Sequence, residues 1–142
     1  MDLRGVKYLF RELPYTEMSE LVKNDRIARM FGITLEGYGS GWAKTSMIVK
    51  EEALNAYDAA HGAALYALSD VAFAVACNSY GQKAVALTVT MHYRRPVGKG
   101  KRLFAEAREE SRGKTTALYR IKVTDEDGKL VAVADGLAYI SG

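Results

Sequence analysis

Between Gly62 and Ala76 the chain reads GAALYALSDVAFAVA, an apolar run in which Ser69 and Asp70 are the side chains with strong hydrogen-bonding power. A helix that is hydrophobic nearly all round belongs in a protein interior, and the run predicts one from Gly62 to Ser79, closed by Gly81. Upstream, Met18, Leu21 and Val22 and then Ile27, Met30 and Phe31 fall at helical spacing, with Asn24-Asp25 as an N-cap between them and Gly32 as a stop. Pro14 ends an irregular start. Ile33 to Tyr38 reads as a strand, and Gly37, Gly39 and Gly41 turn the chain into a second, Trp42 to Lys50. Glu51 to Ala60 carries no clear period and is expected to be a loop.

After Gly81 the period shortens to that of strands. Ala84 to Arg95 is rich in Val and Thr and stops at Arg95-Pro96, Gly98 and Gly100. Lys101 to Glu110 follows, then a turn at Ser111-Arg112-Gly113-Lys114. From Thr115 to Thr124, Ala117, Tyr119, Ile121 and Val123 alternate with polar residues. Asp125-Glu126-Asp127-Gly128 makes another hairpin, and Leu130 to Ile140 is the last strand, with Gly136 a candidate bulge. The expected fold is α+β: one curved antiparallel sheet, its last four strands joined by hairpins, wrapped around one long buried helix. Residues 1–142 form a single domain in this reading, with 1–23 a partly helical N-terminal extension.

Composition narrows the partners. A hydrophobic content of 49% with 26% charged residues is that of a globular domain. Twenty basic and 17 acidic residues leave a net charge of +3, too mild to imply nucleic acid, though compatible with an anionic small ligand. The single cysteine, Cys77, forms no internal disulfide and fits a reducing compartment. The N-terminus lacks the apolar core of a signal peptide, and the one long apolar run is short of the roughly 20 residues of a membrane span. A cytoplasmic protein that binds neither membrane nor nucleic acid is expected.

The chemistry centres on two points of the long helix. An unpaired carboxylate in apolar surroundings is costly, and such groups gather where chemistry happens, which singles out Asp70. The alternative is a core Asp satisfied by a neighbouring strand or a cap. At the helix start, amides of the first turn have no intrahelical acceptor and the helix dipole is positive, so His61-Gly62 could present an oxyanion hole. Equally, Gly62 could merely ease the loop into the helix. Asp70 lies eight residues beyond Gly62, roughly 12 Å at about 1.5 Å per residue. One helix cannot bring both to one carbonyl. Two copies packed antiparallel about a twofold axis can, so the arithmetic predicts a homodimer with shared sites.

Asn55, His61-Gly62, Asp70 nine residues after the histidine, the text Ala72-Phe73-Ala74 and Ala76-Cys77-Asn78-Ser79, and Tyr93-Arg94-Arg95-Pro96 resemble the hotdog-fold acyl-CoA thioesterases of the phenylacetic-acid-degradation (PaaI) type. The resemblance covers roughly residues 24 to 140. It implies hydrolysis of a CoA thioester between two subunits, in a dimer of dimers, with no metal and no cofactor beyond the CoA of the substrate. Asp70 then resembles the catalytic nucleophile or base, Gly62 the oxyanion donor through its amide, and Asn55 the residue orienting nucleophile or water. His61 resembles the residue that supports the carbonyl or the loop.

The chain departs from that pattern at Ala63, where glycine is common, at Tyr57, where many relatives have His, and at Ala86, where some carry a water-holding hydroxyl. Thr88 or Thr90 could replace that hydroxyl if the strand register permits. Ala63, Tyr57, Thr88, Arg94 and Arg95 are the candidate substrate-binding residues. Arg94, Arg95, Lys99, Lys101 and Arg102 either contact the CoA phosphates or form a solvated turn. Tyr66 and Phe73 either pack the core or dimer or line an acyl tunnel. Cys77 reads as a small hydrophobe and His92 as a half-buried or solvent-facing strand residue. Two other readings compete: a hotdog hydratase or dehydratase, and a non-catalytic acyl-CoA-binding module.

Overall fold

A computed structural model of the chain describes residues 17–141. The irregular start before Pro14 and residues 1–16 of the expected extension lie outside them. Two short helices, α1 (Met18–Lys23) and α2 (Arg26–Phe31), precede β1 (Thr34–Gly39) and β2 (Trp42–Ile48). A 3-10 turn (Glu51–Ala53) leads to α3 (Gly62–Asn78), then β3 (Lys83–Tyr93), β4 (Arg102–Arg112), β5 (Thr116–Thr124) and β6 (Leu130–Ser141). The strands form one six-stranded antiparallel sheet in the order β1-β2-β4-β5-β6-β3, with α3 against one face. The α+β architecture is the expected one, and so are both caps of α2. The Asp25 carboxylate accepts from the Ala28 amide at 3.0 Å, and Gly32 closes the helix at φ 68°, a left-handed conformation that favours glycine.

Three local expectations need correction. β3 and β4 do not form a hairpin: β3 is an edge strand beside β6, and residues 94–101 carry the chain to the middle of the sheet, where β4 lies between β2 and β5. That segment is long enough to cross, whereas the connections on either side of β5 are tight turns. β4 also runs through Ser111 and Arg112, because both continue to pair with β5, so the turn begins only at Gly113. Gly136 is not a bulge: it pairs regularly with Val89 and Tyr119, and the β3–β6 register shifts instead on β3, between Ala86 and Thr88.

Gly136 serves packing instead. A Cβ there would stand 2.8 Å from Cε2 of Phe73, whose ring lies against the glycine and 5.4 Å from the Tyr119 ring. The inner face of the sheet is lined by small residues, among them Ala105, Ala107, Ala134 and Ala138, all fully buried, which let α3 come close. Burial of Leu68, Phe73 and Val75 contributes roughly 1.5–3 kcal/mol each. The polar groups are met locally. The Ser69 hydroxyl donates to the Leu65 carbonyl at 2.9 Å, and that of Thr45 to the Leu68 carbonyl at 3.0 Å. The Asn78 side chain donates to the Ala84 carbonyl and accepts from the Ala84 amide, tying the end of α3 to β3.

Gly136→Ala should therefore push the Phe73 ring out of place at a cost of about 1–3 kcal/mol, read by urea unfolding. Phe73→Leu in the same chain should recover part of that loss. Strictly additive losses would contradict the packing argument.

Candidate active site

Five residues of α3 escape burial: Gly62, Ala63, Tyr66, Asp70 and Ala74. Their spacing of three and four places them in one stripe. The helix is thus buried all round except along the face that carries the candidate residues.

The stripe begins at a tightly organised end. His61, in extended conformation, is the N-cap, and its Nδ1 accepts from the Ala63 amide at 3.0 Å. The amides of Ala64 and Leu65 donate to the His61 carbonyl at 2.9 and 3.2 Å. In the first turn only the Gly62 amide lacks an acceptor among the described residues. Gly62 has no left-handed φ that would demand glycine. Its smallness lets Tyr93 approach: a Cβ would stand 3.1 Å from Cζ of that ring, a contact the ring would have to relieve by a few tenths of an ångström. The Tyr93 hydroxyl donates to the Gly62 carbonyl at 3.2 Å.

The loop before α3 is built around Asn55. Its Oδ1 accepts from the amides of Tyr57 at 2.8 Å and Ala59 at 3.1 Å, and its own amide donates to the Ala59 carbonyl at 2.7 Å. The turn holds Asp58 at φ 59° and thrusts Tyr57 out, 91% exposed. The Asn55 Nδ2 has no partner among the described residues. The loop is pinned to α3 by the His61 amide on the Ala53 carbonyl and to the 94–101 crossover by the Ala60 amide on the Val97 carbonyl, each 2.7 Å. Asn55, Tyr57, His61, Gly62, Ala63 and Arg94 therefore lie at one end of the molecule.

Asp70 does not. It lies along an unbroken helix, roughly 12 Å from Gly62. It is half-buried, and no hydrogen bond or ion pair to its carboxylate occurs among the described residues. Neither strand nor cap satisfies it. Burial, and to a lesser degree the negative charge of Asp25, holds its carboxyl above the usual range. Burial also raises the Tyr66 hydroxyl, with Asp70 and Tyr93 adding to the effect.

The remaining candidates separate. Pairing of Thr88 with Leu137 and of Thr90 with Asp135 puts both threonines on the outer face of the sheet, away from α3. His92, opposite Val133, is exposed on the same face. Ala86, opposite the buried Ala138, shares the inner face, so the register does not let a threonine stand in for it. Arg95 pairs with Asp125 and braces the β5–β6 hairpin. Lys99 lies 3.9 Å from Glu51 and Arg102 3.8 Å from Glu36. Arg94 is exposed and has no ion pair among the described residues. Phe73 is a core residue. Cys77 is buried, which pushes its thiol up to about 12 and keeps it un-ionised at neutral pH. Among the described residues no three His, Cys, Asp or Glu side chains cluster as metal ligands, and no helix is long and apolar enough to cross a membrane. The residue missed in the sequence is Tyr93. Its signal is the alternation Val89, Met91, Tyr93, which sets all three on the inner face of β3.

The sequence pattern of the thioesterase superfamily matches residues 57–132, which include His61, Gly62 and Asp70. Over 119 residues the chain is 38% identical to a putative esterase of Archaeoglobus fulgidus, covering 84% of this chain and 77% of that one. It is 36% identical over 122 residues to the acyl-coenzyme A thioesterase PaaI of Escherichia coli, covering 86% and 87%. The solved structure of that PaaI protein superposes with a TM-score of 0.83 over 87% of this chain and 89% of the other. A Streptococcus mutans protein solved with acetyl CoA superposes at 0.74, with 25% identity over 78% and 89% of the chains.

Because folding raises the pKa of Asp70, the stability tied to its protonated form is present at low pH and lost as pH rises through the shifted value. At neutral pH the ionised group opposes folding. Asp70→Asn should therefore raise the melting temperature at neutral pH, and the gain should shrink as pH falls into the ordinary carboxylate range. A variant less stable than wild type at neutral pH would contradict this.

Proposed function

The chain belongs to the thioesterase superfamily, and from that membership we propose that it hydrolyses acyl-CoA thioesters at sites each shared by two copies of the chain. It is a thioester hydrolase with the hotdog fold, a six-stranded antiparallel sheet around one long helix. One observation carries the finer reading. Among the described residues an amide without an acceptor and a carboxylate without a partner lie on the same open stripe, too far apart to act on one carbonyl within one chain.

In the proposed reaction the thioester carbonyl lies between the Asp70 carboxylate of one copy and the Gly62 amide of the other. Asp70 attacks the carbonyl carbon, or takes a proton from the water that does. The oxygen gains negative charge and accepts from Gly62 N–H at the positive end of the helix dipole. The C–S bond then breaks. On the general-base route the proton taken up by Asp70 passes to the sulfur, CoA leaves as its thiol, and the free acid is released. With direct attack CoA leaves as the thiolate and takes a proton from solvent, and water then hydrolyses the mixed anhydride, releasing the acid and restoring Asp70. The desolvation that raises the Asp70 pKa also makes its ionised form a stronger base or nucleophile. In this reading Asn55 Nδ2 orients the water or the nucleophile, and His61 supports the carbonyl. These groups supply the proton transfer and the charge stabilisation, so the reading requires no metal and no cofactor beyond the substrate's CoA.

Arg94, exposed beside the catalytic end, is the residue we assign to the CoA phosphates, with Arg95 bracing the loop that carries it. Ala63, Tyr57 and Tyr66 flank the acyl side, which suits phenylacetyl, hydroxylated aryl or medium-chain groups. The functional unit is a homodimer, assembled as a dimer of dimers, and the single buried cysteine fits the cytoplasm.

The test is thiol release from phenylacetyl-, hydroxybenzoyl-, acetyl-, hexanoyl- and lauroyl-CoA. Wild type should turn over at least one ester, and Asp70→Asn should lose about a hundredfold or more. The wild-type rate should rise with pH through a value above the ordinary carboxylate range. Binding of acyl-CoA without thiol release would instead identify a binding module, and full activity in Asp70→Asn would remove the carboxylate from the mechanism.

A further inference from the structure

Tyr93, Gly62, Ala63 and His61 are joined by a continuous chain of hydrogen bonds that passes through one peptide unit. The Tyr93 hydroxyl donates to the Gly62 carbonyl at 3.2 Å. The nitrogen of that same peptide belongs to Ala63, and its N–H donates to His61 Nδ1 at 3.0 Å. A backbone N–H can only donate, so Nδ1 bears a lone pair and the neutral imidazole carries its hydrogen on Nε2. Donation to the carbonyl polarises the peptide and strengthens the bond its N–H makes, as in any cooperative chain. The ring of Tyr93 also occupies the space a Cβ at position 62 would fill, with Cζ 3.1 Å away. Tyr93 ends the edge strand β3 and is 53% exposed. A half-exposed tyrosine fixed at one backbone carbonyl adds little to the core.

Resting on the thioesterase reading, we propose that Tyr93 is a positioning residue. Through the Gly62–Ala63 peptide it fixes the first turn of α3 and strengthens the Ala63 bond that holds His61 in its Nε2–H form, so that the Gly62 amide and His61 Nε2–H meet the thioester oxygen together. Tyr93 does not touch the reacting atoms. Its effect falls on the transition state, when charge builds on that oxygen, and not on ground-state binding. The peptide unit acts as the link, which is why the glycine and the tyrosine constrain each other.

The experiment compares wild type, Tyr93→Phe, which keeps the ring and loses the hydroxyl, and Tyr93→Leu, which loses both. All three are prepared in a His92→Gln background, which leaves His61 as the only one of the two histidines. Tyr93→Phe should lower kcat about fivefold with KM within about twofold and the melting temperature unchanged, and Tyr93→Leu should lower kcat further. In nitrogen-15 spectra, wild-type His61 should show a hydrogen-bonded bare Nδ1 and a protonated Nε2, and Tyr93→Phe should move the Nδ1 signal toward that of an unbonded ring nitrogen as the Ala63 bond weakens. An unchanged His61 spectrum in Tyr93→Phe, or a loss confined to KM or to thermal stability, overturns the proposal. If wild type releases no thiol from any ester, the thioesterase reading falls, and the spectra alone decide whether the hydrogen-bond chain exists.

Discussion

The hydrogen-bond ladder of α3 runs without a break from Gly62 to Asn78 and holds the free amide at its start a fixed distance from the carboxylate at its middle. Side-chain motion cannot close about 12 Å of helix, and the sheet packed against the other faces keeps α3 from bending. The end of the helix where an amide lacks an acceptor among the described residues and the dipole is positive is therefore separated from the acid that the proposed reaction pairs with it. Burial on every other side leaves only the stripe from Gly62 to Ala74 open. In the proposed dimer a second copy of that stripe, running the opposite way, supplies each group with its complement.

Stability and chemistry pull against each other along the same helix. Fully buried alanines on the sheet let α3 approach, Gly136 makes room for Phe73, and Ser69 bonds within its own helix. Asp70 has none of this support. It is half-buried, unpaired among the described residues, and held above the ordinary carboxylate range by the burial that stabilises its neighbours. The proposed reaction uses this unsupported group, in keeping with the trade-off between stability and activity common at enzyme active sites.

Much of this was legible in the sequence because it rests on local rules. The apolar run gave the helix to within one residue, the Asp25 and Gly32 caps followed from side-chain chemistry, and the alternation in Thr115–Thr124 gave the inner face of β5. Strand order was less legible. Pairing of β3 with β6 instead of β4 depends on where the crossover can close, and no local pattern encodes that. For the same reason Thr88 could not be placed until the bulge at Ala86–Thr88 fixed which side chains face outward. Asn55 is legible only through the resemblance, and His61 also through its place at the helix start, but no local pattern announces their hydrogen bonds within the loop and the cap. Tyr93 was passed over because its partner is a backbone carbonyl distant in sequence.

The shared site is tested most directly by mixing two inactive chains. Asp70→Asn removes the acid. Gly62→Pro removes the amide hydrogen at the first helical position, where the backbone suits proline after a His61 already at φ −62° and ψ 139°. Its ring pushes aside only the half-exposed Tyr93 of the same chain, whose oxyanion site is already disabled. Unfolded together in equal amounts and refolded, half the dimers would be mixed, each with one intact site of two. The account predicts recovery of about a quarter of wild-type activity from two parents that each have almost none. A mixture no more active than its parents would show that acid and amide work within one chain, and the central claim would be wrong.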